Sequence, residues 1–238
     1  MIPSIVLVTA QGFDELTLDT LNDLVSLLKQ PELSIPFDDF IASLESMLAA
    51  RGYLERLPTL AIRPLVAVER APSAVSEFLM MIEPHQLVPN MKSPADALSV
   101  KAGLYLVNDY IEAAHVAAQA ADETGQNTTA AYWHGIMHRR EPDYDNARYW
   151  FRRVGAHAVF SAIGGEAAGL MRDEAFSRRL RCPAVIDGHG RWDPMAFIDL
   201  CEECGRTWDD RAQAAGQLQE IEMRHLLKYT CRAAAGES

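Results

Sequence analysis

A chain of 238 residues, 49% apolar and 23% charged, is long enough to bury a sizeable core and has the make-up of a water-soluble globular protein. Its formal net charge of -11 repels phosphate backbones and argues against nucleic acid as a partner. No apolar run reaches membrane-spanning length, and the start, "MIPSIVLVTAQGFDE", lacks the basic head of a secretory signal; the expectation is no membrane association and a cytoplasmic, reducing setting for Cys182, Cys201, Cys204 and Cys231.

In chain order, Ile5 to Val8 form a short extended run. "TLDTLNDLVSLLKQ" then places Leu18, Leu21, Leu24, Val25 and Leu28 on one helical face, closed by Pro31. "PFDDFIASLESMLAARG" repeats the pattern and ends at Gly52. "LPTLAIRPLVAVE", 57–69, has strand-like composition broken by Pro58 and Pro64, so it reads as an extended crossing segment or an edge strand with which Ile5 to Val8 can pair. "SAVSEFLMMIE" is a third amphipathic helix, and "EPHQLVPNMKSP", 83–94, reads as a linker. This divides the chain into an acidic helical N-terminal region, 1–88, and a helical body, 94–238.

The body opens with Ser93 as an N-cap, Pro94 in the first turn and Asp96 three residues on. Thr128 or Thr129 caps a helix running to Arg140, where Pro142 stops it. Asp143 or Asp145 starts the next, which ends near Gly155. "IGGEAAG", 163–169, and "DGHGRW", 187–192, read as glycine turns without the pattern of a phosphate loop. Asp193–Pro194 opens a helix ending at Gly205, and Thr207 with Asp210 forms a capping box for a long last helix to about Ala234.

Asp109, Tyr110 and Ala113 recur as Asp143, Tyr144 and Ala147, each 34 residues later. Gly135 precedes Ala147 by twelve residues and Phe151 follows it by four. On these residues, 94–157 resembles two tetratricopeptide-like helical hairpins, in which small side chains let paired helices approach and aromatics fill the seam. The resemblance implies a mostly α-helical fold built of hairpins. The stretch "WHGIMHRREPDYDNARYWFRRVG" also resembles the signature of an uncharacterised protein family, a likeness that implies no activity.

That stretch concentrates chemistry. His134, His138 and Glu141 are spaced i, i+4, i+7 and point the same way on a helix, a possible facial set for a divalent metal. His115 and His157 can approach from neighbouring helices. Three readings stay open: hydrogen-bonded structural histidines, an organic-ligand or acid/base site, and a metal site. Arg139, Arg140, Arg152 and Arg153 supply a positive rim for an anionic ligand, or pair with acids such as Glu141, Asp143 and Asp145. Trp133, Tyr149 and Trp150 read first as packing, with Trp150 also a candidate ligand contact. "CEEC", Cys201 to Cys204, sits at a helix end, where neither redox nor zinc chemistry is expected.

The expectation is a binding or adaptor protein without a required cofactor, with a protein or a small anionic ligand as partner. The alternative is a metal-dependent or acid/base enzyme for an anionic small molecule, centred on His134, His138 and Glu141, with Arg139, Arg152, Trp150 and His157 lining the site.

Overall fold

The computed structural model describes residues 5–9, 12–16, 64–69, 79–81, 83–88, 91–125, 127–181, 184–207 and 209–236. The helices expected over 17–30 and 36–52, the first half of 57–69 and most of 73–83 lie outside the described residues. The fold is mostly helical. Strand β1 (Ile5–Thr9) pairs antiparallel with β2 (Gly12–Leu16), with Ile5 opposite Leu16. Its partner among the described residues is the segment that follows it at once; a short antiparallel connection costs little loop-closure entropy. Residues 64–69 form no strand and run as an irregular strap with Leu65 buried at 3% exposure.

The segment expected as a linker carries α1 (Pro84–Leu87) and sinks Leu87 and Val88 into the core. Helix α2 (Pro94–Val107) starts as its residues dictate: the Ser93 hydroxyl accepts from the Asp96 N–H at 3.2 Å. After α3 (Ile111–Glu123) comes α4 (Thr128–Arg140). Its cap is Asn127, not a threonine; the Asn127 carboxamide oxygen accepts from Thr129 and Ala130 N–H at 2.8 and 3.0 Å, and both threonines fall inside the helix. Asp143 caps α5 (Tyr144–Val154), and Gly155 ends it with φ 58°, a left-handed value that suits glycine.

"IGGEAAG" is not a turn. It lies within α6 (Phe160–Met171), where a Cβ on Gly164 would come within 2.3 Å of the Gly190 carbonyl oxygen. Glycine there permits close approach of the 187–192 turn rather than a bend. Helices α7 (Glu174–Leu180), α8 (Pro194–Cys204) and α9 (Asp210–Ala235) follow. Asp209 caps α9 by accepting from the Ala212 N–H at 2.9 Å, so the expected Thr207–Asp210 box is displaced.

Helices α2 and α3 form one hairpin and α4 and α5 a second; α4 packs on both helices of the first, and α9 lies along α2 and touches α6, α7 and α8. Glycines set the seams. A Cβ on Gly135 would stand 2.8 Å from the Phe151 ring, and one on Gly103 2.7 Å from the Trp133 ring. Ala147, four residues before Phe151 on α5, is fully buried. Helix α4 is enclosed on every side, with each residue from Thr129 to Arg140 buried. No helix among the described residues is long and apolar enough to cross a membrane.

Candidate metal centre

His134 and His138 stand one turn apart on α4, so helix geometry places them on one face. Their ring centroids are 5.0 Å apart and the planes nearly parallel. A third imidazole comes from the first hairpin. His115, one turn into α3, meets both edge-on, with centroid separations of 4.8 Å to His134 and 5.4 Å to His138. One ring nitrogen from each of the three lies within 4.8 Å of the other two. Helix α5 closes the back: the Trp150 indole stacks on His134 at 3.8 Å, and the Arg153 guanidinium lies 4.5 Å over that indole.

His134 and His138 are buried and His115 is half-buried. Burial first, then the neighbouring imidazoles, lowers His134 to about 3 and His138 to about 4. Both are therefore neutral at pH 7, the form that has a lone pair to offer. The second contacts of His138 select its tautomer. Nδ1 lies 3.2 Å from Glu141 Oε2, and the Asn146 amide nitrogen lies 3.1 Å from Nε2. A proton on Nδ1 donates to the carboxylate, and the lone pair on Nε2 then accepts from the Asn146 amide, a contact that a metal ion on Nε2 would have to displace. His134 is less well served: its Nδ1 is buried with no hydrogen-bond partner among the described residues. An orphaned ring nitrogen inside a protein costs about 1–3 kcal/mol.

The expected set of His134, His138 and Glu141 is thus modified. His138 and Glu141 do meet, but the third nitrogen is that of His115, and Glu141 holds a histidine from the edge of the cluster. Its side chain is about one-third exposed at 35%. Its carboxyl is raised, mainly by burial, with Glu112, Asp143 and Glu69 adding to the effect and His115 opposing it. The rim of the cluster is therefore carboxylate-rich.

The positive rim is not assembled. Arg139 turns away from the histidines into the core, where its Nη2 meets Glu222 Oε2 at 2.5 Å and its guanidinium lies 4.5 Å over the Phe197 ring. Arg140 donates to the Leu106 carbonyl at 2.8 Å and to Asp109 at 2.7 Å. Arg153 pairs with Asp122 at 3.1 Å. Arg152 is exposed and lies off the α5 face made by Asn146, Trp150 and Arg153. Arg139 and Arg153 find their acids on other helices and Arg140 in the turn between α2 and α3, not in the Glu141–Asp145 turn.

His157 belongs elsewhere too: its Nε2 lies 3.3 Å from Thr129 Oγ1, its Nδ1 accepts from the Val159 N–H, and its ring packs against Tyr132 and Tyr229. Trp133 is core, donating to Thr230 Oγ1 at 3.0 Å, while Tyr149 is 51% exposed and packs only its edge on Trp150. Cys201 and Cys204 are both buried near the end of α8. Burial pushes the Cys201 thiol up to about 12, and Cys204 donates to the Leu200 carbonyl. Neither joins a metal-ligating group among the described residues. Cys182 lies outside them.

No protein-family model, no curated protein and no solved structure matches this chain.

Proposed function

We propose that this is a binding protein for a divalent transition-metal ion, held by His115, His134 and His138 on a pair of tetratricopeptide-like helical hairpins. The observation that carries the reading is the convergence of three imidazole nitrogens within 4.8 Å of one another. The unpartnered His134 Nδ1 supports it. An all-imidazole set suits zinc, cobalt, nickel or copper rather than magnesium or calcium, which prefer oxygen. Zinc–nitrogen bonds of about 2.0–2.1 Å in a tetrahedron put the nitrogens roughly 3.4 Å apart. The cluster therefore needs to contract by up to about 1.4 Å, through side-chain rotation together with a small approach of α3 to α4. Glu141 on His138 Nδ1 is the carboxylate–histidine arrangement that orients a metal ligand, and the carboxylate rim raises the local concentration of cations. The hairpin assignment rests on the 34-residue spacing and the Gly135–Phe151 seam.

The test is a zinc titration by calorimetry, paired with cobalt(II) monitored by its visible spectrum and by quenching of Trp150, which is stacked on a ligand. The expected result is one equivalent bound at micromolar zinc or tighter, lost in His134→Ala and in His115→Asn with far-UV circular dichroism retained. Wild-type protein that binds no stoichiometric zinc, or His115→Asn protein that binds as well as wild type, would falsify the proposal.

A further inference from the structure

Resting on that metal reading, we infer that the strap 64–69 is a clasp whose docking and the occupancy of the histidine cluster favour one another, so that the strap regulates the site.

The argument begins with connectivity. Helices α3 and α4 carry the three histidines and are joined by residues 124–127 at the end remote from them. At the near end lie the first turns of α3, with Ile111 and His115, and the last turn of α4, with His138 and Arg140. No chain segment of the hairpins joins α3 to α4 there. The strap does so instead. Glu69 Oε2 accepts from the Ile111 N–H at 2.7 Å and from the Glu112 N–H at 3.3 Å, two of the free donors at the start of α3. Two residues earlier, the Ala67 N–H donates to the Arg140 carbonyl at 2.9 Å, at the end of α4. The Pro64 carbonyl accepts from Gln219 of α9 at 3.3 Å, and Leu65 seats the strap in the core. One six-residue segment thus holds both helix ends that carry the cluster.

Metal binding acts on the same two ends. Contraction of the nitrogens towards a shared ion draws His115 on α3 towards His134 and His138 on α4. A docked strap already holds these helices together, so it removes part of the ordering cost of binding. The linkage is reciprocal: whatever factor docking adds to metal affinity, metal adds to docking. Glu69 also brings a negative charge to the first turn of α3, the turn that precedes His115. The two effects separate by substitution, because Glu69→Gln keeps an acceptor while removing the charge, and Leu65→Ala loosens the strap without changing charge.

The experiment uses the full chain and zinc as the probe. Zinc affinity is measured for wild type, Glu69→Gln, Glu69→Ala and Leu65→Ala, each checked for an intact helical spectrum. Hydrogen exchange of the Ala67 amide is followed with and without saturating zinc. The expected result is a three- to tenfold or greater loss of affinity in both Glu69→Ala and Leu65→Ala, with Ala67 exchange slowed by zinc in the wild type. The Ala67 readout guards against Leu65→Ala acting through general destabilisation. Zinc binding with unchanged Ala67 protection overturns the clasp and leaves the metal site standing. Loss in Glu69→Gln but not in Leu65→Ala overturns it likewise, reducing Glu69 to a surface charge. Wild-type protein that binds no zinc overturns the site and the clasp together.

Discussion

Glu222→Gln is the substitution whose cost the structure allows to be worked most closely. Glu222 is fully buried in the middle of α9 and serves three donors, two on α4 and one in the segment before α8. Oε1 accepts from the Tyr132 hydroxyl and from the Trp192 indole N–H, both at 3.0 Å, and Oε2 meets Arg139. Glutamine keeps the shape and one acceptor oxygen, so Tyr132 and Trp192 can stay bonded. What is lost is the charge opposite a guanidinium with no exposed surface, whose Nε and Nη1 have no partner among the described residues. Leaving one member of a buried pair uncompensated costs about 3–5 kcal/mol, a large share of the roughly 5–15 kcal/mol that holds a domain folded. The companion is Glu222→Gln with Arg139→Met, which removes the stranded cation and refills its volume. It is expected to recover about 2 kcal/mol relative to the single variant. The assay is urea unfolding by circular dichroism, with the slope held constant between variants. A single-variant cost below about 1 kcal/mol, or a double variant less stable than the single, would show that the pair is not the buried, mutually dependent unit described here.

Two further perturbations test the packing and the charge state of the histidines. Stability should fall as pH drops below about 6.5: His134, His138 and His157 are lowered to about 3, 4 and 4 by burial, so the unfolded chain binds more protons than the folded one between roughly pH 4 and 6.5. At pH 4.5 each ring contributes on the order of 2–3 kcal/mol of loss, and a urea midpoint that stays level from pH 7 to 4.5 would rule this out. Gly135→Ala gains up to about 1 kcal/mol of helix propensity but places a methyl 2.8 Å from the enclosed Phe151 ring, and overpacking of about 1–3 kcal/mol should win; a raised melting temperature would mean that the α4–α5 seam has slack.

Much of the body could be read from its caps. Ser93 with Pro94, Asp143, Asp193 with Pro194, and Gly155 each mark the boundary the structure has, because a side-chain acceptor or a left-handed glycine acts locally. Where two candidate caps stood close together, the local signal was degenerate: Asn127 displaced Thr128, and Asp209 displaced Thr207. Half of the site was legible in the same way. His134 and His138 share a face by spacing alone. The identity of the third nitrogen is a tertiary fact, since His115 reaches the cluster only through the crossing of α3 on α4. Spacing within the sequence carries no information on that crossing.

The arginines show the limit most clearly, and they explain why the histidines stand out. A run rich in arginine ordinarily marks a solvated face, and helix α4 has no solvated face. Surrounded by α2, α3 and α5, it cannot show the apolar stripe that identifies a surface helix, and each polar side chain on it must find a buried partner. Most do. Tyr132 has Glu222, Trp133 has Thr230, Arg139 has Glu222, Arg140 has Asp109, and His138 has Glu141 and Asn146. The Arg139 nitrogens without a partner among the described residues belong to a guanidinium already held through another atom. His134 is different: its described contacts are with the rings of Trp150, His138 and His115, and its buried Nδ1 meets no donor or acceptor among the described residues. In a helix where the other polar groups are partnered, the residue left over is the one at the centre of three imidazoles. Packing does not require histidine there, since an aromatic carbon ring would stack on Trp150 at least as well without an orphaned nitrogen. The proposed metal ion would account for the choice, because three neutral imidazoles can bind it and a phenyl ring cannot. Replacing His134 by Phe should therefore raise stability in metal-free buffer while abolishing zinc binding, and a destabilised His134→Phe protein would instead assign the imidazole to the packing of α4.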